Sequence, residues 1–79
     1  MSKYDPLFRW LNGQTANRIH STFEQIEHVL GFDLPSSARV YPQWWENDPK
    51  HVQAKAWLNA SFRTEEVNPI NETLLFVRA

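Results

Sequence analysis

Apolar residues change their spacing along this chain, and the changes divide it into helical and extended parts. Leu7, Phe8, Trp10 and Leu11 form a stripe at helical spacing, opened by Asp5-Pro6 and closed by Asn12-Gly13. Asp5 reads as the cap and Pro6 as the first helical residue, where a missing N–H costs nothing. Gln14 to Asn17 reads as a loop, and Arg18-Ile19-His20-Ser21 as a short extended stretch at a sheet edge. Phe23, Ile26 and Leu30 then share one helical face with Val29 beside them, while Glu24, Gln25, Glu27 and His28 take the other. Ser21 with Glu24, or Thr22 with Gln25, has capping-box spacing, and Gly31 supplies a left-handed end.

Leu34-Pro35-Ser36-Ser37 opens a further helical turn through Val40 and Tyr41, which Pro42 ends. Asp48-Pro49 repeats the opening signature of Asp5-Pro6 and predicts a helix to about Asn59, with Ala54, Trp57 and Leu58 as its apolar face. The chain then changes character. Phe62 to Asn68 and Thr73 to Arg78 are rich in β-branched and aromatic residues, and Asn68-Pro69-Ile70-Asn71 between them signals a turn. The expected fold is α+β over residues 1–79 as one compact domain. A small antiparallel sheet of about three strands, including a C-terminal β-hairpin, is packed by two to three helices.

Composition adjusts this picture. With 79 residues the chain has room for one core, and four Trp, five Phe and two Tyr supply it. Cysteine is absent, so no disulfide framework is available. No apolar run reaches the roughly 18 residues of a membrane span, and no signal-peptide stretch is visible. A cytoplasmic location is therefore expected, the host cytoplasm if the chain is phage-encoded. Eight basic residues stand against nine acidic ones, for a net charge of -1. That balance lacks the basic excess common in domains that grip duplex DNA by its phosphates.

Reactive constellations are weak. His20, His28 and His51 are dispersed, without metal-ligand spacing or a Cys partner. Glu24 and His28 lie one helical turn apart, a spacing better explained by a surface pair than by acid–base chemistry. Asp48 near His51 reads as a cap. Two distant glycines exclude a phosphate loop, and no Ser sits in a nucleophile elbow. The expected protein is not an enzyme and implies no cofactor and no metal.

Two features point instead to binding. Arg39 to Asp48 holds Trp44 and Trp45 side by side, and neighbouring side chains diverge. An exposed ring beside Arg39, Tyr41, Asn47 and His51 offers a stacking platform for a base or an anchor for a protein. Alternatively, both rings wedge between sheet and helices, and the polar neighbours tie down the loop. The second feature is acidic: Glu24 and Glu27 face outwards on the second helix, Glu46 and Asp48 flank the next, and Glu65, Glu66 and Glu72 gather at the hairpin.

The runs Leu34-Pro35-Ser36-Ser37-Ala38-Arg39, Trp44-Trp45-Glu46-Asn47-Asp48 and His51-Val52-Gln53-Ala54-Lys55-Ala56-Trp57-Leu58 carry a resemblance over nearly the whole chain. Together with Lys3-Tyr4-Asp5-Pro6-Leu7 and Thr22-Phe23-Glu24-Gln25-Ile26-Glu27, they resemble a family of small bacterial and phage domains with the pattern W-W-x-N-D…H-x-Q-A-x-A-W. The resemblance implies that Arg39, Trp44, Trp45, Asn47, His51 and Gln53 lie together. It also marks a departure, because members usually carry Gly where this chain has Ser61. In length the chain is similar to small anti-CRISPR proteins of phages that act on type I-C systems. That likeness implies a non-enzymatic inhibitor that binds a DNA-recognising subunit of the effector complex, as a DNA mimic, and blocks target recognition. The expected contacts are Glu24, Glu27, Arg39, Trp44, Trp45, Asn47, Asp48 and His51. The alternative expectation is a nucleic-acid-binding module that stacks bases on the Trp loop.

Overall fold

Residues 2–79 are described by a computed structural model. Four helices and three strands follow in the order α1 (Asp5–Asn12), β1 (Arg18–Thr22), α2 (Phe23–Leu30), α3 (Ser36–Val40), a 3-10 turn (Pro42–Trp45), α4 (Val52–Leu58), β2 (Phe62–Asn68) and β3 (Thr73–Arg78). The sheet is antiparallel in the order β1-β3-β2, with the β2–β3 hairpin at the C-terminal end. The expected α+β class is therefore the observed one. No helix among the described residues is long and apolar enough to cross a membrane.

Local chemistry fixes α2 most firmly. Of the two possible capping boxes, the chain uses Thr22 with Gln25: the Thr22 hydroxyl accepts the Gln25 N–H, and the Gln25 side chain accepts the Thr22 N–H, each at 3.0 Å. Gly31 closes the helix in the left-handed region at φ 85°. The two Asp-Pro signatures work differently from expectation. Tyr4, not Asp5, occupies the cap position of α1, and the Asp5 carboxylate accepts the Ser2 N–H instead. Asp48 accepts the Lys50 N–H in a local turn, and α4 begins only at Val52. In both places the short carboxylate finds an N–H nearer than the first turn of the helix.

Register divides the sheet into two faces. Ile19 and Ser21, Phe62 and Thr64, and Leu74 and Phe76 point towards the helices. Arg18, His20, Arg63, Glu65, Leu75 and Val77 lie on the opposite face, outside the main core; Leu75, in the central strand, is nonetheless buried there. The core on the helical side gathers Leu7 and Leu11 of α1, Phe23, Ile26 and Leu30 of α2, Trp45, Trp57, Phe62 and Phe76. Its aromatic rings form a continuous series. Phe23 stacks on Trp45 with centroids 4.9 Å apart, Trp45 on Trp57 at 5.9 Å, and Trp57 tilts against Phe76 at 6.2 Å.

The joint between α4 and β2 carries a departure from ordinary backbone. Ser61 sits at φ 65°, in the region that glycine occupies without a Cβ clash. Its N–H is bonded to the Leu58 carbonyl and its carbonyl accepts the Ala79 N–H, so neighbouring structure holds it there. A Gly at this position would fit without strain. Replacing Ser61 with Gly is therefore expected to stabilise the chain by about 0.5–1 kcal/mol in urea unfolding, the relief of strain being partly offset by the greater freedom of Gly when unfolded.

Candidate functional site

The Trp loop is built inwards. The 3-10 turn directs Trp45 into the core, where it is 1% exposed and its indole N–H donates to the Ala38 carbonyl at 2.8 Å. Trp44 is half-buried and meets Tyr4 edge-on at 6.0 Å. Its carbonyl accepts the Gln53 side-chain amide at 3.1 Å, which ties the turn to α4. Contrary to the expectation that neighbouring side chains diverge, the two rings meet edge-to-face with centroids 4.7 Å apart, and neither stands free as a stacking platform.

Asn47 makes the densest set of contacts. β3 uses Leu74, Phe76 and Arg78 to bond β1, so Arg63 and Glu65 of β2 face β3 and the backbone of Thr64 points away from the sheet. The Asn47 side chain meets it there: Nδ2 donates to the Thr64 carbonyl at 3.1 Å, and Oδ1 accepts the Thr64 N–H at 2.9 Å. One amide group therefore takes the place of a neighbouring strand. The same Oδ1 accepts the Trp57 indole N–H at 3.0 Å, and the Thr64 hydroxyl donates to the Trp45 carbonyl. Of the six residues that the resemblance placed together, Trp44, Trp45, Asn47 and Gln53 meet, joined by Trp57, and their polar contacts are with one another, with Thr64 of β2 and with the Ala38 carbonyl.

Arg39 does not join that group. It projects from α3 between Glu27 of α2 and Glu72 of the hairpin turn, donating to Glu27 at 2.6 Å and also pairing with Glu72. Glu27 was expected to face outwards; its side chain is only 16% exposed, and its Oε2 also accepts the Leu34 N–H at 2.8 Å. Burial pushes the Glu27 carboxyl up, but the Leu34 N–H and the Arg39 guanidinium outweigh it and hold the group below the usual range. The Arg39 guanidinium is held above its ordinary value, first by its hydrogen bonds to Glu27 and Glu72. His51 and Asp48 lie at the entrance to α4, with Nε2 of His51 3.9 Å from the Asp48 carboxylate. Among the described residues no three His, Asp or Glu side chains converge as metal ligands.

Around the Arg39 bridge the surface is acidic. Glu24 and Asp33 are exposed, and with Glu27, His28, Gly31 and Phe32 they line an open depression of about 320 Å³ at one side of α2. Glu72 extends this acidic surface across Arg39, at the end of the hairpin turn. The sheet face away from the main core differs, carrying Arg18, His20 and Arg63, the last paired with Glu65 at 2.7 Å. A near-neutral chain thus has segregated charge. Sequence reasoning missed two structural partners: Thr64 and the Arg39–Glu72 pair. Thr64 left a trace, since the alternation from Phe62 places a hydroxyl on the inward face, where it needs an acceptor.

The chain belongs to the family DUF7662, a domain of unknown function, whose model matches residues 4–79. No curated protein and no solved structure matches it.

The Glu27 bridge generates a pH dependence. A carboxyl depressed in the folded state adds stability above its unfolded value, and that stability is lost as pH falls through the folded value. Unfolding midpoints in urea should therefore fall below about pH 4. In Glu27→Gln, whose amide oxygen still accepts the Leu34 N–H, this part of the acid loss should disappear while stability at neutral pH drops.

Proposed function

We propose that this chain is a non-enzymatic binding protein that acts by occlusion. It lays the acidic side of α2 into a basic, DNA-accepting cleft on another protein. Support comes from one observation: Glu24, Glu27 and Asp33 line one open depression beside α2, and Arg39 bridges Glu27 to Glu72. Arg39 links α2, α3 and the hairpin turn, so the backbone that carries these carboxylates is set in place before a partner arrives, which limits the ordering entropy that opposes binding. A face of this sign also speeds encounter with a cationic cleft and excludes like-charged partners.

The resemblance to small anti-CRISPR proteins names the partner in this proposal, a DNA-recognising subunit of a type I-C effector complex. The carboxylates would stand where DNA phosphates otherwise sit, and stoichiometric binding would suffice to block target recognition. In this reading the Trp loop with Asn47 is scaffold. Glu24 and Asp33 supply the free charge, while Glu27 is held by Arg39 and the Leu34 N–H.

The test is capture of the tagged chain with a type I-C effector complex, with target DNA binding by that complex followed in parallel. The wild-type chain is expected to be retained and to abolish DNA binding. Glu24→Lys combined with Asp33→Lys should weaken capture by about tenfold or more and reduce its salt dependence, with unfolding midpoints unchanged. Absence of capture, or capture indifferent to both substitutions, contradicts the proposal.

A further inference from the structure

The two edges of the sheet are finished differently, and the difference points to a second binding surface beyond the acidic face. At the β2 edge the Asn47 amide occupies the outward N–H and carbonyl of Thr64. At the β1 edge no side chain among the described residues plays an equivalent part. The Arg78 N–H donates to the Asn17 carbonyl and the Phe23 N–H to the Glu72 carbonyl, which sets the phase of the ladder. Ile19 and Ser21 therefore bond β3, while the backbones of Arg18, His20 and Thr22 point outwards. The Thr22 N–H is taken by Gln25 in the capping box, and the nearby Ala16 carbonyl by the Arg78 guanidinium. Arg18 and His20 are left with outward N–H and carbonyl groups on an exposed strand.

We propose that this edge accepts an extended peptide segment of a partner protein by strand addition, and that the segment alternates acidic and apolar residues. The backbone groups of Arg18 and His20 supply the ladder. Side chains determine the sequence. On the sheet face away from the main core an added strand sets alternate residues directly beside the Arg18 guanidinium and the His20 imidazole, where carboxylates are favoured. The intervening residues lie beside half-buried Ile19 and buried Ser21, on the side of the core, where apolar groups fit. The edge is short and its charged side chains oppose indiscriminate pairing, so affinity is modest and selective for the acidic register.

The probe is a short, capped synthetic peptide of alternating Glu and Val, added to the full chain while amide hydrogen exchange is followed. Exchange at the Arg18 and His20 N–H groups should slow by about tenfold or more, with the β2 edge unchanged. A peptide of alternating Lys and Val should give no protection. His20→Pro removes one outward donor at a position where an edge strand tolerates proline, and it should abolish protection at Arg18 while tryptophan fluorescence stays as in the wild type. Arg18→Glu, which leaves the backbone intact, should weaken binding by about tenfold. No protection at the highest soluble peptide concentration overturns the proposal. So does equal binding of the Lys peptide, or protection that grows with protein concentration in the absence of peptide, which would assign the edge to a second copy of the chain.

Discussion

The hydrogen bonds around one side-chain amide, that of Asn47, tie together the loop after the 3-10 turn, α4 and β2. A three-stranded sheet has two exposed edges, and here the β2 edge is closed by Asn47 at Thr64. Because the same oxygen accepts the Trp57 indole N–H, the position of α4 is coupled to the register of β2. Because the Thr64 hydroxyl donates to the Trp45 carbonyl, the 3-10 turn is anchored at the same point. An aromatic series from Phe23 to Phe76 can then be packed in one arrangement, since each indole that enters the core has a defined acceptor for its N–H. Hydrophobic burial supplies the driving force; the Asn47 knot selects the geometry in which it is collected.

This division of labour separates scaffold from surface. Residues with the most distinctive chemistry, the paired tryptophans with Asn47 and Gln53, are engaged with one another, β2 and the core rather than with solvent-facing partners. What faces outwards is plainer: carboxylates around Arg39 on one side, arginines and His20 on the sheet face away from the main core, and an unfilled strand edge at β1. A fold anchored by a few buried polar contacts can vary these outer features at little cost to stability, because surface substitutions away from the knot rarely exceed about half a kcal/mol. In the reading proposed above, recognition rests on the pattern of charge and on free backbone groups rather than on a pocket.

How much of this the sequence carried depended on the range of each interaction. Gly31 and the Thr22–Gln25 box were legible, because helix ends are set by residues within a few positions of one another. The hairpin was legible from two β-rich runs around a Pro-containing turn. Asp5 and Asp48 misled for a local reason: each carboxylate had a competing N–H closer than the helix. Glu27 misled for a distant one. Its helical position marks it as outward, but Arg39, twelve residues away, reaches over and covers it. Asn47 and Thr64 are separated by seventeen positions, and no spacing rule links a loop amide to the backbone of an edge strand. The paired tryptophans could be read as site or as wedge until the partners of their N–H and carbonyl groups were known.

The most direct measurement is the unfolding free energy of Asn47→Ala, taken from urea titrations followed by tryptophan fluorescence, alone and in a Trp57→Phe background. Loss of the amide leaves the Thr64 N–H and carbonyl and the Trp57 indole N–H without protein partners at a part-buried edge, so a cost of about 2 kcal/mol is predicted, falling by about 1 kcal/mol when Trp57 no longer has an N–H to satisfy. A cost below about 1 kcal/mol, unchanged in the Trp57→Phe background, would show that packing alone holds the fold and that Asn47 is incidental.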